Sequence, residues 1–128
     1  MVLPKKVLVV DEDDTALFLA QIALKRIAAE AQVQMAKNGQ QALQMVRTDC
    51  QQDLCPQLIF LSIQRQLSDS LAFLEALQTA PDLNQLPVRI VLVGTSPYYL
   101  QLAQKEGLPV LDYIEKPLTP EKLIKFLG

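Results

Sequence analysis

Short blocks of consecutive apolar residues alternate along this chain with longer segments in which apolar residues recur every three or four positions. Val7 to Val10 form the first block, and the first longer segment begins near Asp14. Continuous apolar blocks are typical of strands buried on both faces of a parallel sheet, and the wider spacing is typical of amphipathic helices. The pattern occurs five times, so the sequence predicts a (βα)5 chain.

Residues that favour turns separate these blocks and set the limits of ten predicted elements. Helices that cover both faces of a parallel sheet make a doubly wound α/β fold. We expect strands near 5–10, 31–35, 57–62, 88–93 and 110–114, and helices near 14–29, 39–48, 68–79, 96–106 and 119–127.

Polar and charged residues lie where three of the predicted strands end. Asp11 and Glu12 follow the first strand, Ser62 ends the third, and Lys116 follows the fifth. In a doubly wound sheet, functional groups gather beyond the carboxyl ends of the strands, where the strand order reverses. We therefore expect these four side chains to converge.

Five motifs in this order resemble the receiver domain of two-component response regulators, over essentially the whole chain. They are VDEDD, NGQQAL, LIFLSI, SLAFLEAL and DYIEKPLTPEKL. The resemblance implies a flavodoxin-like (CheY-like) fold, with a five-stranded parallel sheet of order 2-1-3-4-5. The length fits a single receiver-like domain over residues 1–128, without an output domain.

The resemblance also assigns roles in phosphoryl transfer to particular residues. In receiver domains, two acids help to hold Mg²⁺, an aspartate accepts the phosphoryl group, and a lysine neutralises the developing charge. Asp11 and Glu12 match the acid pair, Lys116 the lysine, and the main-chain carbonyl of Gln64 a metal ligand. Ser62 occupies the acceptor position.

Serine at this position changes the expected chemistry, because an alkyl hydroxyl is not ionised at neutral pH and does not form a labile acyl phosphate. The carboxylates of Asp11 and Glu12 with the ammonium of Lys116 give a formal charge of −1, where an aspartate acceptor would give −2. One charge at ~5 Å is worth about 3 kcal/mol at an effective dielectric near 20. We expect a degenerate pseudo-receiver with no cofactor beyond weakly bound Mg²⁺.

Other positions also bear on the site. Receivers commonly follow the acceptor with Met-Pro and then a glycine, whereas this chain has Arg65-Gln66 and Ser70 there. Thr95 is the candidate for the family's hydroxyl residue at the end of the fourth strand, although counting back from the lysine reaches residues 93 or 94 first. Tyr113 matches the aromatic residue whose rotamer reports activation in the family.

Structural alternatives apply to the charged residues. Asp13 or Asp14 can cap the first helix rather than bind a metal. Asp11 and Lys116 can form a purely structural ion pair. Loss of either residue would leave the other charge unpaired and would destabilise the fold. The resemblance implies a cis peptide between Lys116 and Pro117.

Composition narrows the function classes. With 12 basic and 14 acidic residues, scattered along the chain, the net charge of −2 argues against nucleic-acid binding. The chain has no histidine, so histidine kinase and phosphotransfer roles are excluded.

Cys50 and Cys55 make at most half a metal site, and we expect free thiols rather than a disulfide. No apolar run is long enough for a membrane span, so we expect a cytoplasmic protein.

Three functions follow from these observations. The first is a non-enzymatic pseudo-receiver that binds a protein partner, a sensor kinase or downstream signalling protein, through its fourth helix, fifth strand and fifth helix. The second is a phosphorylatable receiver that uses Asp11, Asp13 or Asp69 as a substitute acceptor. In a variant of it, a separate serine kinase phosphorylates Ser62. The third, a flavodoxin-like enzyme or nucleotide-binding module, is disfavoured because the acidic DEDD loop repels phosphate and no glycine-rich cradle occurs.

Overall fold

A computed structural model describes residues 5–63, 67–86, 88–95, 98–105, 107–108, 110 and 112–127 of the chain. Strands and helices alternate along these residues, as the apolar pattern predicts. The strands are β1 Lys6–Val10, β2 Gln32–Ala36, β3 Leu58–Ser62, β4 Arg89–Gly94 and β5 Asp112–Glu115. The helices are α1 Asp14–Ile27, α2 Gly39–Gln51, α3 Leu67–Thr79, α4 Tyr98–Lys105 and α5 Pro120–Leu127.

The strands form one parallel sheet of order β2-β1-β3-β4-β5, which confirms the predicted flavodoxin-like topology. β1 and β3 are adjacent in the centre, and the strand order reverses between them. In register, Val10 pairs with Leu61, and Ser62 pairs with Val93 on β4. The carboxyl ends of β1, β3 and β4 therefore meet at one edge of the sheet.

Alternating side chains of each strand enter two hydrophobic cores, one on each face of the sheet. Val7 and Val9 of β1 pack in the core under α1 and α5, together with Leu58 and Phe60 of β3. The intervening residues pack in the core under α2 and α3. A two-residue side-chain period with both faces buried explains why the strands appear in the sequence as continuous apolar blocks.

Several helix ends differ from the predicted limits. α1 ends at Ile27 rather than 29, and the ammonium of Lys25 donates a 3.0 Å hydrogen bond to the carbonyl of Ala31 beyond its end. α2 continues to Gln51 rather than 48. The longest described helix has 14 residues, and none in the described ranges is long and apolar enough to cross a membrane.

The extension of α2 also corrects the expectation of free thiols. Cys50 lies in the last turn of α2, and the chain reverses at Asp53, whose φ is 59°. This reversal brings Cys55 close to the helix end, where Cys50 and Cys55 form a disulfide. The expectation of free thiols rested on the reduced state of most cytoplasmic cysteines, and the sequence pattern does not indicate the reversal that brings these two together.

Candidate functional site

The alternation of side chains along the two central strands determines where Asp11 and Ser62 point. Asp11 continues the series of Val7 and Val9, and Ser62 continues that of Leu58 and Phe60, so both lie on the α1 and α5 side of the sheet. Their exposed fractions are only 5% and 8%. Two polar groups are thus held in a buried setting at the edge where the strand order reverses.

An ion pair joins the first and last elements of the chain at this edge. The ammonium of Lys116 lies 2.8 Å from Oδ2 of Asp11, with 23% and 5% of the two side chains exposed. Oδ1 of Asp11 accepts a 3.0 Å hydrogen bond from the main-chain N–H of Asp13. The Lys116–Pro117 peptide is cis, as expected. Both carboxylate oxygens of Asp11 are therefore engaged within the chain.

A cavity of about 340 Å³ opens beside this ion pair, on the α1 and α5 side of the sheet. Asp11, Asp13, Ser62 and Lys116 supply its polar wall. The remaining wall is apolar. The apolar lining residues are Val9, Val10, Ala16, Leu19, Phe60, Val93, Pro117 and Leu118.

A second, smaller cavity of about 40 Å³ lies on the α2 and α3 side of Ser62. Asp11, Glu12 and Asp69 line it together with Ser62. The other lining residues are Val10, Lys37, Asn38 and Ser70. The hydroxyl of Ser70 donates a long, 3.5 Å hydrogen bond to the carbonyl of Ser62. Ser62 and Asp11 thus border both cavities, Lys116 the larger one and Glu12 the smaller one.

Comparison with known families identifies the domain. The sequence profile of the response regulator receiver domain matches residues 7–127. The chain belongs to this family.

Solved receiver structures share the fold at low sequence identity. A two-component response regulator from Cytophaga hutchinsonii is similar with a TM-score of 0.82 and 19% identity, covering 98% of this chain and 94% of its own. The chemotaxis response regulator CheY4 of Vibrio cholerae has a TM-score of 0.72 and 23% identity, with 95% and 94% covered. The bacteriophytochrome response regulator AtBRR has a TM-score of 0.76 and 22% identity, with 94% and 88% covered. No curated protein sequence matches this chain.

The receiver site has two strand-end carboxylates, Asp11 and Glu12, without a third from residue 62. Among the described residues, no group of three carboxylate, thiolate or imidazole side chains could hold a metal ion. Asp11 already contacts an ammonium, and Ser62 offers a neutral hydroxyl in place of a carboxylate. Gln64, the expected main-chain ligand, lies outside the described residues. The donor set therefore fits Mg²⁺ poorly.

The expected hydroxyl residue of the receiver site is not brought to either cavity. Thr95 is exposed and follows the end of β4, and neither cavity has it in its lining. The last residue of β4 is Gly94, whose carbonyl accepts a 2.8 Å hydrogen bond from the N–H of Lys116. A Cβ atom at Gly94 would lie 3.5 Å from Cε2 of Tyr113 and 3.8 Å from the carbonyl of Ile63. The strand therefore ends at a residue without a side chain.

Tyr113 packs beside this glycine. The residue is half-buried, and its phenolic oxygen is buried, so the ring faces the end of β4 rather than solvent. A hydroxyl-bearing side chain at residue 94 would share this space with the ring. The ring therefore lies beside the carboxyl end of β4, and the switch role of Tyr113 stays a prediction.

The acidic residues after Asp11 have mainly structural contacts. Oδ1 of Asp13 accepts a 2.9 Å hydrogen bond from the N–H of Thr15, so Asp13 is the N-cap of α1. Asp14 begins the helix and forms an exposed 2.8 Å ion pair with Lys37. These contacts bear out the interpretation of Asp13 as a capping residue, which the DEDD sequence suggests.

A contact between α2 and α3 was not predicted from the sequence. Oδ2 of Asp69 accepts a 2.7 Å hydrogen bond from the N–H of Gly39, the first residue of α2. Glycine permits this approach, because a Cβ at residue 39 would lie 2.8 Å from the carbonyl oxygen of Asp69. An Asn-Gly pair at a helix start signals a cap, but it gives no sign that a second helix approaches.

We expect Gly39→Ala to lower the free energy of unfolding by about 1–3 kcal/mol, the usual cost of overpacking a well-packed site. The added methyl group would push α3 away from α2 and lengthen the Asp69 hydrogen bond. Urea denaturation measures the loss. Gly94→Ala is the matched control for added bulk, because a Cβ there would lie 3.5 Å from the nearest atom of Tyr113, an ordinary van der Waals distance. A neutral Gly39→Ala variant would contradict the close approach.

Proposed function

We propose that this chain is a receiver domain of two-component signalling that acts without aspartyl phosphorylation, as a pseudo-receiver. The observation that carries this proposal is the buried hydroxyl of Ser62 at the carboxyl end of β3, beside the Asp11–Lys116 ion pair. In the family, this is the position of the acceptor carboxylate. A neutral hydroxyl there supplies neither the nucleophile nor the negative charge that the reaction requires.

The charges around Ser62 support the same proposal. Lys116, which neutralises phosphoryl charge in active receivers, is held by Asp11 at 2.8 Å. With no acceptor carboxylate at residue 62, this ion pair has a structural role: it connects the end of β1 to the loop after β5. We propose that Mg²⁺ binds weakly at most, and that the domain is a non-enzymatic, cytoplasmic protein.

The proposed output is protein binding through α4, β5 and α5. Tyr98 on α4 and Ile124 on α5 are each 58% exposed. Exposed large apolar side chains that lie near one another often mark a binding surface. Tyr113 on β5 links this surface to the end of β4. We propose that a sensor kinase or a downstream signalling protein recognises this surface. The Asp11–Lys116 pair would hold α4, β5 and α5 in a single conformation for that partner.

A second candidate function is a phosphorylatable receiver in which Asp69 substitutes for the missing acceptor. The observation in its favour is that Asp69 lines the smaller cavity with Asp11, Glu12 and Ser62. Against it, Oδ2 of Asp69 is bound to the N–H of Gly39 at 2.7 Å, so phosphorylation would disrupt the start of α2. Asp11 and Asp13 are likewise held, by Lys116 and Thr15.

NMR spectroscopy with beryllofluoride, a phosphoryl mimic that binds carboxylates, tests the proposed function. We expect the native chain to show no saturable change in amide chemical shifts on addition of Mg²⁺ and beryllofluoride. Shifts that saturate and spread to α4, β5 and α5 would contradict the pseudo-receiver proposal. If such shifts were abolished by Asp69→Asn and retained by Asp53→Asn, an exposed control, the second candidate would be supported instead.

A further inference from the structure

We propose that this chain forms a two-fold dimer through the outer face of α1, so that the partner on this face is a second copy of the same chain. Three of the seven exposed large apolar side chains among the described residues lie on this one helix: Phe18, Leu19 and Ile22, at 60%, 50% and 44% exposed. Clustered exposure of this kind marks interaction surfaces. The inference is independent of phosphoryl acceptance and of the α4, β5 and α5 surface.

The outer face of α1 has an ordered distribution of charge. Asp14, Phe18, Ile22 and Arg26 are spaced four residues apart, so they form one ridge along the helix, and all four are exposed. The ridge carries an acid at the amino end, two apolar side chains in the middle and a base at the carboxyl end. We call these four residues the α1 ridge.

A surface groove runs beside the α1 ridge. Phe18, Ile22 and Arg26 form one side of this groove, and Gln21 and Lys25 form the other. Interdigitation of such i±4 ridges and grooves is the commonest way in which two helices pack in globular proteins. The face therefore offers both the projecting side chains and the recess that a second helix of the same kind requires.

The α1 ridge is complementary to itself in an antiparallel arrangement. Phe18 and Ile22 are equally far from the height of residue 20 along the helix, as are Asp14 and Arg26. A two-fold axis at that height therefore sets Phe18 level with Ile22 of the second copy and Asp14 level with Arg26 of the second copy. The charged positions are separated by ~18 Å along the helix, and both pairs are matched simultaneously.

This symmetry favours a second copy over an unrelated partner. A partner surface of a single charge would be repelled at one end of the α1 ridge, and a parallel pairing would set Asp14 against Asp14. Asp14 is 79% exposed even while it pairs with Lys37, so its carboxylate remains accessible. A contact between two 14-residue helices is smaller than the ~1,200–2,000 Å² of standard interfaces, so the dimer should be weak.

Sedimentation velocity over a concentration series tests the proposal by a charge swap. We expect the native chain to associate reversibly, with a dissociation constant on the order of 100 μM. Asp14→Arg and Arg26→Asp should each weaken association about tenfold, because each replaces two attractive pairs of the dimer by repulsive ones. The double variant should return to within about threefold of the native constant.

The matched control is Arg47→Asp, which reverses an exposed charge on α2 that pairs with Asp82 at 3.0 Å, away from α1. It should leave association unchanged. A native chain that stays monomeric at every concentration, single variants without effect, or a double variant that is not restored would each overturn the proposal.

A second readout addresses variants that fail to fold, which thermal melts would reveal. Chains carrying Phe18→Cys and Ile22→Cys are mixed under mild oxidation. The antiparallel dimer predicts a disulfide between the two different variants, formed at least about tenfold faster than between two copies of either one. Equal rates for all three combinations would overturn the arrangement.

Discussion

Replacement of Ser62 by aspartate is expected to convert the chain into a phosphoryl acceptor. The new carboxylate would extend from the end of β3 beside Asp11 and Lys116, where the larger cavity of about 340 Å³ provides space. One added negative charge at ~5 Å from a divalent ion is worth about 6–7 kcal/mol at an effective dielectric near 20. Desolvation of the new carboxylate and its pairing with Lys116 offset part of this, so Mg²⁺ affinity should rise at least about a hundredfold. Calorimetric titration measures the affinity, and intact mass measures the phosphoryl adduct.

Two variants control this gain of function. Ser62→Asn has nearly the same shape as Ser62→Asp but no charge, so it should gain neither Mg²⁺ affinity nor an adduct. Ser62→Asp combined with Lys116→Met should bind Mg²⁺ but accept the phosphoryl group far more slowly, because the neutralising cation is gone. An unchanged Mg²⁺ affinity in Ser62→Asp would contradict the view that the remaining site is intact.

Removal of one partner of the Asp11–Lys116 pair is expected to destabilise the fold. Loss of a partner of a fully buried pair typically costs 3–5 kcal/mol, and because 23% of the Lys116 side chain is exposed we expect about 1–3 kcal/mol for Asp11→Asn. In a double-mutant cycle with Lys116→Met, the double variant should lose less than the sum of the singles, with a coupling of about 1–2 kcal/mol. Urea denaturation supplies all four free energies of unfolding.

The exposed Arg47–Asp82 pair provides the matched cycle. Its N···O distance of 3.0 Å is similar, but 42% and 53% of the two side chains are exposed, so its coupling should stay below about 0.5 kcal/mol. Single variants at Asp11 and Lys116 as close to native as those at Arg47 would contradict the structural role. The pair would then have to be explained by function alone.

The placement of the strand-end groups could be predicted because it depends on patterns that occur within each element, whereas the sheet order was implied by the resemblance to receiver domains. The alternation within β1 and β3 fixes the side of the sheet that Asp11 and Ser62 face, and an acid after one strand and a lysine after another meet at the same edge. These inferences need only the side-chain period and the direction of parallel strands.

Features that depend on contacts between distant segments were not predictable. The hydrogen bond from Gly39 to Asp69 joins residues 30 positions apart, and nothing in the local pattern of either helix indicates the other. The disulfide between Cys50 and Cys55 joins residues only five apart, but it depends on the backbone reversal at Asp53, which the sequence pattern does not indicate. The apolar wall of the larger cavity comes from β1, α1, β3, β4 and the loop after β5, so no single sequence motif predicts it.

Thr95 shows that a shift of one residue in strand register determines which residue occupies the end of β4. The register places Ser62 opposite Val93, and the strand ends at Gly94, so Thr95 falls beyond the sheet. Sequence counting allowed residues 93, 94 or 95, because the length of the connection between β4 and β5 leaves the register open. Only the strand pairing resolves which residue faces Tyr113.

Intact-mass spectrometry of the native chain, incubated with Mg²⁺ and a small-molecule phosphodonor, tests the central claim most directly when it is run beside Ser62→Asp. The account predicts no phosphoryl adduct on the native chain and one adduct on the variant. A labile adduct on the native chain would contradict it and direct attention to a substitute carboxylate, with Asp69 the first to be replaced.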